Sequence, residues 1–177
     1  NQRETALIWD KNTGKPVSNA AVWQCQRGAS FCEQLRETGY SDVVQQKTGL
    51  IIDPYFSASK LRWIIHNVPG VKERAASGKV HATDYSNACR TMLFNIVELK
   101  WDKELTDLFD LHKSMFPKVM YSDEVFGYTS TTVVFDRPVP IAGLIGDSHG
   151  ALFGQCCFTT GTGKATYGTG SSVMVNI

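Results

Sequence analysis

Asp147 and His149 follow directly on the nearly apolar run "IAGLI", residues 141–145, and the small residues Ser148, Gly150 and Ala151 surround them. In α/β proteins, the point where a strand ends and a helix opens is a frequent place for chemistry. A carboxylate at a helix N-terminus is favoured in its ionised form, the form a general base needs. Three other clusters offer groups for a small neutral polar molecule. "RET" supplies Arg3 as a forked donor and Glu4 as an acceptor, a pairing that suits adjacent hydroxyls. "VWQCQR" supplies Trp23 as an apolar wall, and "DPYFS" supplies Tyr55 with a ring and a hydroxyl. In "YGTGSS", Gly168 and Thr169 form a turn where backbone N–H groups can approach phosphate oxygens. Each feature has a plainer alternative. Arg3 and Glu4 suit a solvated pair, Trp23 and Tyr55 suit core or rim, Asp147 suits a helix cap, and "YGTG" suits a tight turn.

The elements that must position these residues can be read from periodicity. "TALIWDKNTGKPVSNAAVW" reads as two short strands around an Asn-Thr-Gly turn. Phe31, Cys32 and Leu35 predict a helix over 29–38, with Gly39 as its C-terminal cap. Asp53-Pro54 predicts a turn, followed by a helix with Leu61, Ile64 and Ile65 facing inward. Leu105, Leu108 and Leu111 predict a helix over 102–111, and residues 117–140 read as strand and loop. The remainder predicts a buried strand over 141–145, a helix from about Ser148 and two strands around "YGTG". This pattern is that of one α/β or mixed domain.

Composition narrows the class. The 177 residues are 42% hydrophobic and 20% charged with formal net charge +1, the balance of a globular domain with its own core. Scattered Lys and Arg give no nucleic-acid or membrane-binding surface, and no apolar run approaches the ~18 residues needed to span a bilayer. The chain opens on no signal peptide. Cys25, Cys32, Cys89, Cys156 and Cys157 lack framework or zinc spacing and read as reduced, buried thiols of a cytoplasmic protein, so no residue is assigned to a metal. Two motif matches fail. "SASK" at 57–60 resembles an S-x-x-K acylase serine, but "KTG" precedes it where it should follow. "GTGK" at 161–164 lacks the first P-loop glycine, replaced by Phe158, and the magnesium-binding hydroxyl, replaced by Ala165.

The stretches "RET.LIWDK.TGKPV.NA.VWQC.R", "KTGLIIDPYFSASKLRWI", "TDYSNACRTMLFNI", "GDSHGALFGQ" and "ATYGTGS" run from end to end of the chain. Together they resemble the FGGY carbohydrate kinase family, in its glycerol-phosphorylating branch. "YFSASKLRWIIHN" is similar to the family's N-domain signature, with His66 where a charged or amide residue is more usual. The resemblance implies an actin-like, ribonuclease-H-like ATPase fold, with the chain forming part of the N-terminal domain of a two-domain sugar kinase. It implies ATP-dependent phosphorylation of glycerol to glycerol 3-phosphate with Mg2+, in a cytoplasmic protein that is a homo-oligomer when complete. Asp147 corresponds to the catalytic base, and Arg3, Glu4, Tyr55 and Trp23 to the substrate-binding residues, with Asp147 also touching substrate. Gly168 and Thr169 correspond to the nucleotide site, and His149 has no matching role.

The departures are also expectations. Ser148 stands where these kinases carry a substrate-reaching glutamine, and Ser172 where a second aromatic packs on glycerol. The pocket is thereby wider and more polar, which keeps a ketose or longer polyol as an alternative substrate. The resemblance further implies that a phosphate-binding hairpin before "RET", a strand-helix segment near 77–79 and the C-terminal domain are absent from these 177 residues. The favoured explanation is a longer kinase of which they are a part; a non-catalytic fragment is the rival.

Overall fold

The computed structural model describes residues 3–9, 15–71, 82–129, 131, 136–168 and 170–177. Thr169, the centre of the "NTG" turn and the proposed join near 77–79 lie outside the described residues.

Three helices build the body: α1 (Ala29–Glu37), α2 (Ser41–Thr48) and α3 (Ser57–Asn67). Helix α1 buries Cys32 and Leu35, three apart on one face, and ends where Gly39 takes a left-handed φ of 85°. Helices α1 and α3 touch closely at Gly28, where an added Cβ would come within 2.5 Å of Ser59 Cβ. Helix α2 was not legible in the sequence, because only Val44 and Thr48 on it are buried. Its stop, Gly49 at φ 69°, is the clearest signal it leaves. The Asp53-Pro54 turn forms as expected: the Tyr55 N–H donates to Asp53 Oδ1 at 2.8 Å and the Phe56 N–H to the Asp53 carbonyl at 3.2 Å.

Beyond the body come β1 (Ala82–Asp84), α4 (Tyr85–Ala88), β2 (Phe94–Asn95), β3 (Lys100–Trp101), α5 (Lys103–Leu108) and β4 (Lys118–Met120). Strands β1 and β4 pair in parallel, with the intervening helices as their crossover. Helix α5 is shorter than the predicted 102–111. Asp102 is its N-cap rather than its first residue, accepting from the Leu105 N–H, and Asp110 at φ 51° turns the chain away. Leu105, Phe109 and Leu111 stay buried all the same.

The last elements are β5 (Gly127–Tyr128), β6 (Pro140–Ile141), α6 (Asp147–Gly154), β7 (Gly163–Tyr167) and β8 (Ser171–Val175). Strands β7 and β8 form the predicted antiparallel hairpin, with Lys164 opposite Met174 and Thr166 opposite Ser172, and α6 packs on both. The predicted buried strand over 141–145 does not form. Only Pro140 and Ile141 join a ladder, and Ile141 and Ile145 are exposed. Beyond Ile141 the chain leaves this ladder, and the Leu144 N–H donates to the Ser122 carbonyl at 3.0 Å instead. Among the described residues, the expected hairpin near the start shows as two isolated bridges, Ala6 with Ala21 and Trp9 with Pro16.

One hydrophobic cluster, including Ala21, Val44, Phe56, Ile64, Leu93, Leu105 and Phe109, draws its members from Ala6 to Phe116 and takes none from α6, β7 or β8. The cysteines are all free thiols; Cys32 and Cys157 are buried, but Cys156 is exposed, against the expectation of buried thiols throughout. Cys25 lies ahead of α1 and does not share its face with Cys32.

Candidate functional site

Two acidic and two basic side chains converge where "RET" passes the start of α6. Gly146 is the N-cap of α6 and Asp147 its first helical residue, so the cap reading of Asp147 is not realised. Instead its Oδ1 accepts from the Ser148 N–H at 2.7 Å and from Arg3 Nε at 3.2 Å. The Arg3 side chain is 8% exposed, whereas that of Asp147 is 59% exposed. A buried guanidinium thus holds a carboxylate that still faces open space, an arrangement that suits proton acceptance from an arriving hydroxyl. The helix N-terminus adds partial positive charge beside it. Gly146 is required here, because a Cβ on it would collide with the Arg3 side chain.

Arg3 and Glu4 do not form the solvated pair that their adjacency allows. Glu4 turns inward at φ 63°, a left-handed conformation uncommon for a residue with a side chain, and buries all but 3% of its side chain. Its Oε1 accepts from Arg90 Nε at 2.8 Å. Strain of this kind concentrates at functional sites. Arg90 stands 4.9 Å over the Phe56 ring and 6.0 Å from the Tyr55 ring centroid. Tyr55 meets Trp23 edge-on at 6.0 Å between centroids. Burial, and then the Glu4 carboxylate, push the Tyr55 hydroxyl above its ordinary pKa, while Arg90 and Arg3 pull it down. Arg3, Glu4, Trp23, Tyr55 and Asp147 therefore form one connected group.

Ser148 and Ser172 join it from the other side. Their hydroxyls lie 3.3 Å apart across α6 and β8, and the buried Lys164 Nζ reaches Ser172 Oγ at 3.3 Å and Thr166 Oγ1 at 3.0 Å. Gly168 lies exposed in the β7–β8 turn.

Sequence reasoning missed two residues, Arg90 and Asp84, and left a third, His149, without a role. Arg90 anchors Glu4, and its signal was its place in "TDYSNACRTMLFNI". Asp84 is fully buried and accepts from Ser86 Oγ at 2.5 Å and from Ser122 Oγ at 2.7 Å. Burial alone would raise its pKa, but hydrogen bonds from Ser86, Asn87 and Ser122 outweigh that and hold the carboxyl below its ordinary value. The Gly146 N–H donates to the same Ser86 Oγ at 2.7 Å, which ties the start of α6 to this buried acid. The third is His149, whose Nδ1 lies 3.0 Å from Arg3 Nη1.

The model of the FGGY family of carbohydrate kinases, N-terminal domain, matches residues 1–154. The chain belongs to this family. Two relatives, Thermotoga maritima glycerol kinase 1 and Bacillus cytotoxicus glycerol kinase, are each 50% identical to it, over 100% and 99% of the chain. The chain spans 39% of the length of either. The crystal structure of Plasmodium falciparum glycerol kinase with ADP superposes with a TM-score of 0.92 at 35% identity, covering 99% of this chain and 38% of that one. A xylulose kinase from Lactobacillus acidophilus, 20% identical with a TM-score of 0.80, shares the fold over 97% of this chain and 38% of its own. The fold is accordingly the N-terminal part of the FGGY kinases' actin-like, ribonuclease-H-like ATPase fold.

Proposed function

We propose that this chain carries the polyol site and the general base of an ATP-dependent glycerol kinase. The observation that carries the reading is the open Asp147 carboxylate, fixed by buried Arg3 at the start of α6, with Glu4 next along the chain held by Arg90 beside Tyr55 and Trp23. In the reaction, Asp147 takes the proton of a substrate hydroxyl as its oxygen attacks the γ-phosphorus of ATP. The bond from that phosphorus to the β,γ-bridging oxygen breaks, releasing ADP and a phosphate monoester. Arg3 and Glu4 donate to and accept from the neighbouring hydroxyls, while Trp23 and the Tyr55 ring face the carbon chain. Ser148 and Ser172 line the same pocket. Alignment of the reactants, rather than covalent catalysis, supplies most of the acceleration.

Gly168, exposed just after β7, and Thr169, next in sequence, are assigned to the phosphates of ATP. Among the described residues no group of three or more His, Cys, Asp or Glu converges as a metal site. A magnesium ion held chiefly by nucleotide phosphates needs only one or two protein carboxylates, so the residues present fit a metal that arrives with ATP. When bound, it neutralises charge on the transferring phosphoryl group. The free thiols suit a reducing cytoplasm, and no described helix is long and apolar enough to cross a membrane. We assign the complete protein as a homo-oligomer, consisting of this partial N-terminal domain together with the phosphate hairpin, the strand-helix segment and the C-terminal domain of its relatives.

The Ser148–Ser172 hydroxyl pair favours a second reading, a related kinase for a ketose or longer polyol. The test is ADP release by the full-length protein with ATP and magnesium, comparing glycerol with ketoses and longer polyols. A kcat/KM highest for glycerol supports the first reading, and a higher value for a ketose supports the second. No ADP release with any of them identifies a non-catalytic binding remnant.

A further inference from the structure

His149 lies on the first turn of α6, two residues beyond Asp147, and its side chain points to the same guanidinium that holds Asp147. Arginine has only donors, so the 3.0 Å contact between Arg3 Nη1 and His149 Nδ1 requires an unprotonated Nδ1. The imidazole must then carry its proton on Nε2. Arg3 is thus held from two sides, with Nε on Asp147 and Nη1 on His149, and its planar fork is fixed in rotation as well as position.

We propose that His149 is a positioning residue: a neutral imidazole acceptor that orients Arg3 so that its remaining N–H groups point at the substrate hydroxyls. With only Asp147 to hold it, Arg3 could pivot about one bond, and binding would bear the cost of fixing it. Four charged groups face the ring. Arg3 and Arg90 oppose its protonation, Asp84 and Asp147 favour it, and burial together with the two arginines prevails, holding its pKa below the ordinary histidine value. The neutral form that the geometry demands is therefore the form the surroundings select.

The role in catalysis rests on the polyol kinase reading, whereas the hydrogen bond itself does not. The experiment uses the full-length protein and two readouts. Nitrogen-15 NMR of labelled histidine reads the tautomer without reference to activity; a His149 with Nε2 protonated and Nδ1 unprotonated at pH 7.5 is expected. Glycerol kinetics are then compared for wild type, His149→Leu and His149→Gln. His149→Leu is expected to raise the glycerol KM roughly 10-fold or more, the size of a lost charged hydrogen bond, with a smaller change in kcat. His149→Gln keeps an acceptor within reach, and its KM is expected to return to within about 3-fold of wild type. The wild-type KM should also rise on the acid side as the imidazole protonates, and this rise should be missing in His149→Gln. An Nδ1–H tautomer, or a Leu variant with unchanged KM and acid limb, overturns the proposal. If His149→Leu does not fold, the tautomer and the Gln variant's acid limb decide it. A wild type that makes no ADP, yet shows the expected tautomer, refutes the kinase reading and leaves the Arg3–His149 contact standing.

Discussion

At the scale of single residues, the division of labour around Asp147 follows from exposure. Arg3 and Glu4 are buried and paired, so they are already fixed before a substrate arrives, while Asp147 keeps most of its surface open. On the proposed reading, a preset donor and acceptor lower the entropy cost of orienting a hydroxyl, and the open carboxylate serves as the base. Asp147→Asn keeps the size and a hydrogen-bonding oxygen for Arg3 but removes the proton acceptor. The expected outcome in the full-length protein is a kcat lower by roughly 10²–10⁴-fold, the range general base catalysis contributes, with glycerol affinity changed by less than about 5-fold. Steady-state ADP release and calorimetric glycerol binding measure the two separately. Near-normal turnover in the variant would remove Asp147 from the role of base.

At the scale of elements, Lys60 shows what the sequence could and could not disclose. Its place in "SASK" suggested an acylase motif that the order of the chain ruled out. In the structure Lys60 is buried on α3, with its ammonium donating to the carbonyls of Tyr55 and Phe56, so it fastens the turn that presents Tyr55. Burial pushes its pKa down to about 8 from the ordinary 10.5. Between those values the unfolded chain binds the proton and the folded chain does not, so stability rises with pH across the window from about 8 to 10.5. Below pH 8 the buried charge costs roughly 3 kcal/mol relative to a solvated lysine. Urea unfolding of wild type and Lys60→Met from pH 7 to 10.5 should show the rise in wild type only; equal slopes would place Lys60 in contact with water. Helix α1 was legible because its burial follows a single face, and α3 because Ile64 and Ile65 are buried, although Ala58, Ser59 and Lys60 are buried as well. Helix α2 was not, having two buried positions, and the apolar run 141–145 misled because Ile141 and Ile145 are exposed and only Ile141 pairs in a ladder. The candidate site residues were singled out by motif, yet the partner of each charge was not. Glu4 with Arg90 spans 86 positions and Arg3 with His149 spans 146, distances at which local pattern carries no information.

At the scale of the molecule, the site lies on a seam. The hydrophobic cluster takes no member from α6, β7 or β8, and several polar contacts join the unit bearing Asp147 to its surroundings. Arg3 reaches across to Asp147 and His149, the Leu144 N–H donates to the Ser122 carbonyl at 3.0 Å, and the Gly146 N–H donates to Ser86 Oγ. Of these, the Ser86 link is buried at both ends and is backed by Asp84, which makes it the hardest to replace with water. Ser86→Ala leaves the Gly146 N–H without a partner and withdraws one donor from the Asp84 carboxylate, so the start of α6 should open more often. Hydrogen exchange at the Gly146 amide should then be roughly 10-fold faster or more, while amides in α1 and α3 keep their wild-type rates. Because Asp147 moves with Gly146, kcat/KM for glycerol should fall in parallel. Faster exchange throughout α1 and α3 as well would mean that Ser86 supports the whole body rather than the seam. Unchanged exchange at Gly146 would transfer the fastening role to Arg3.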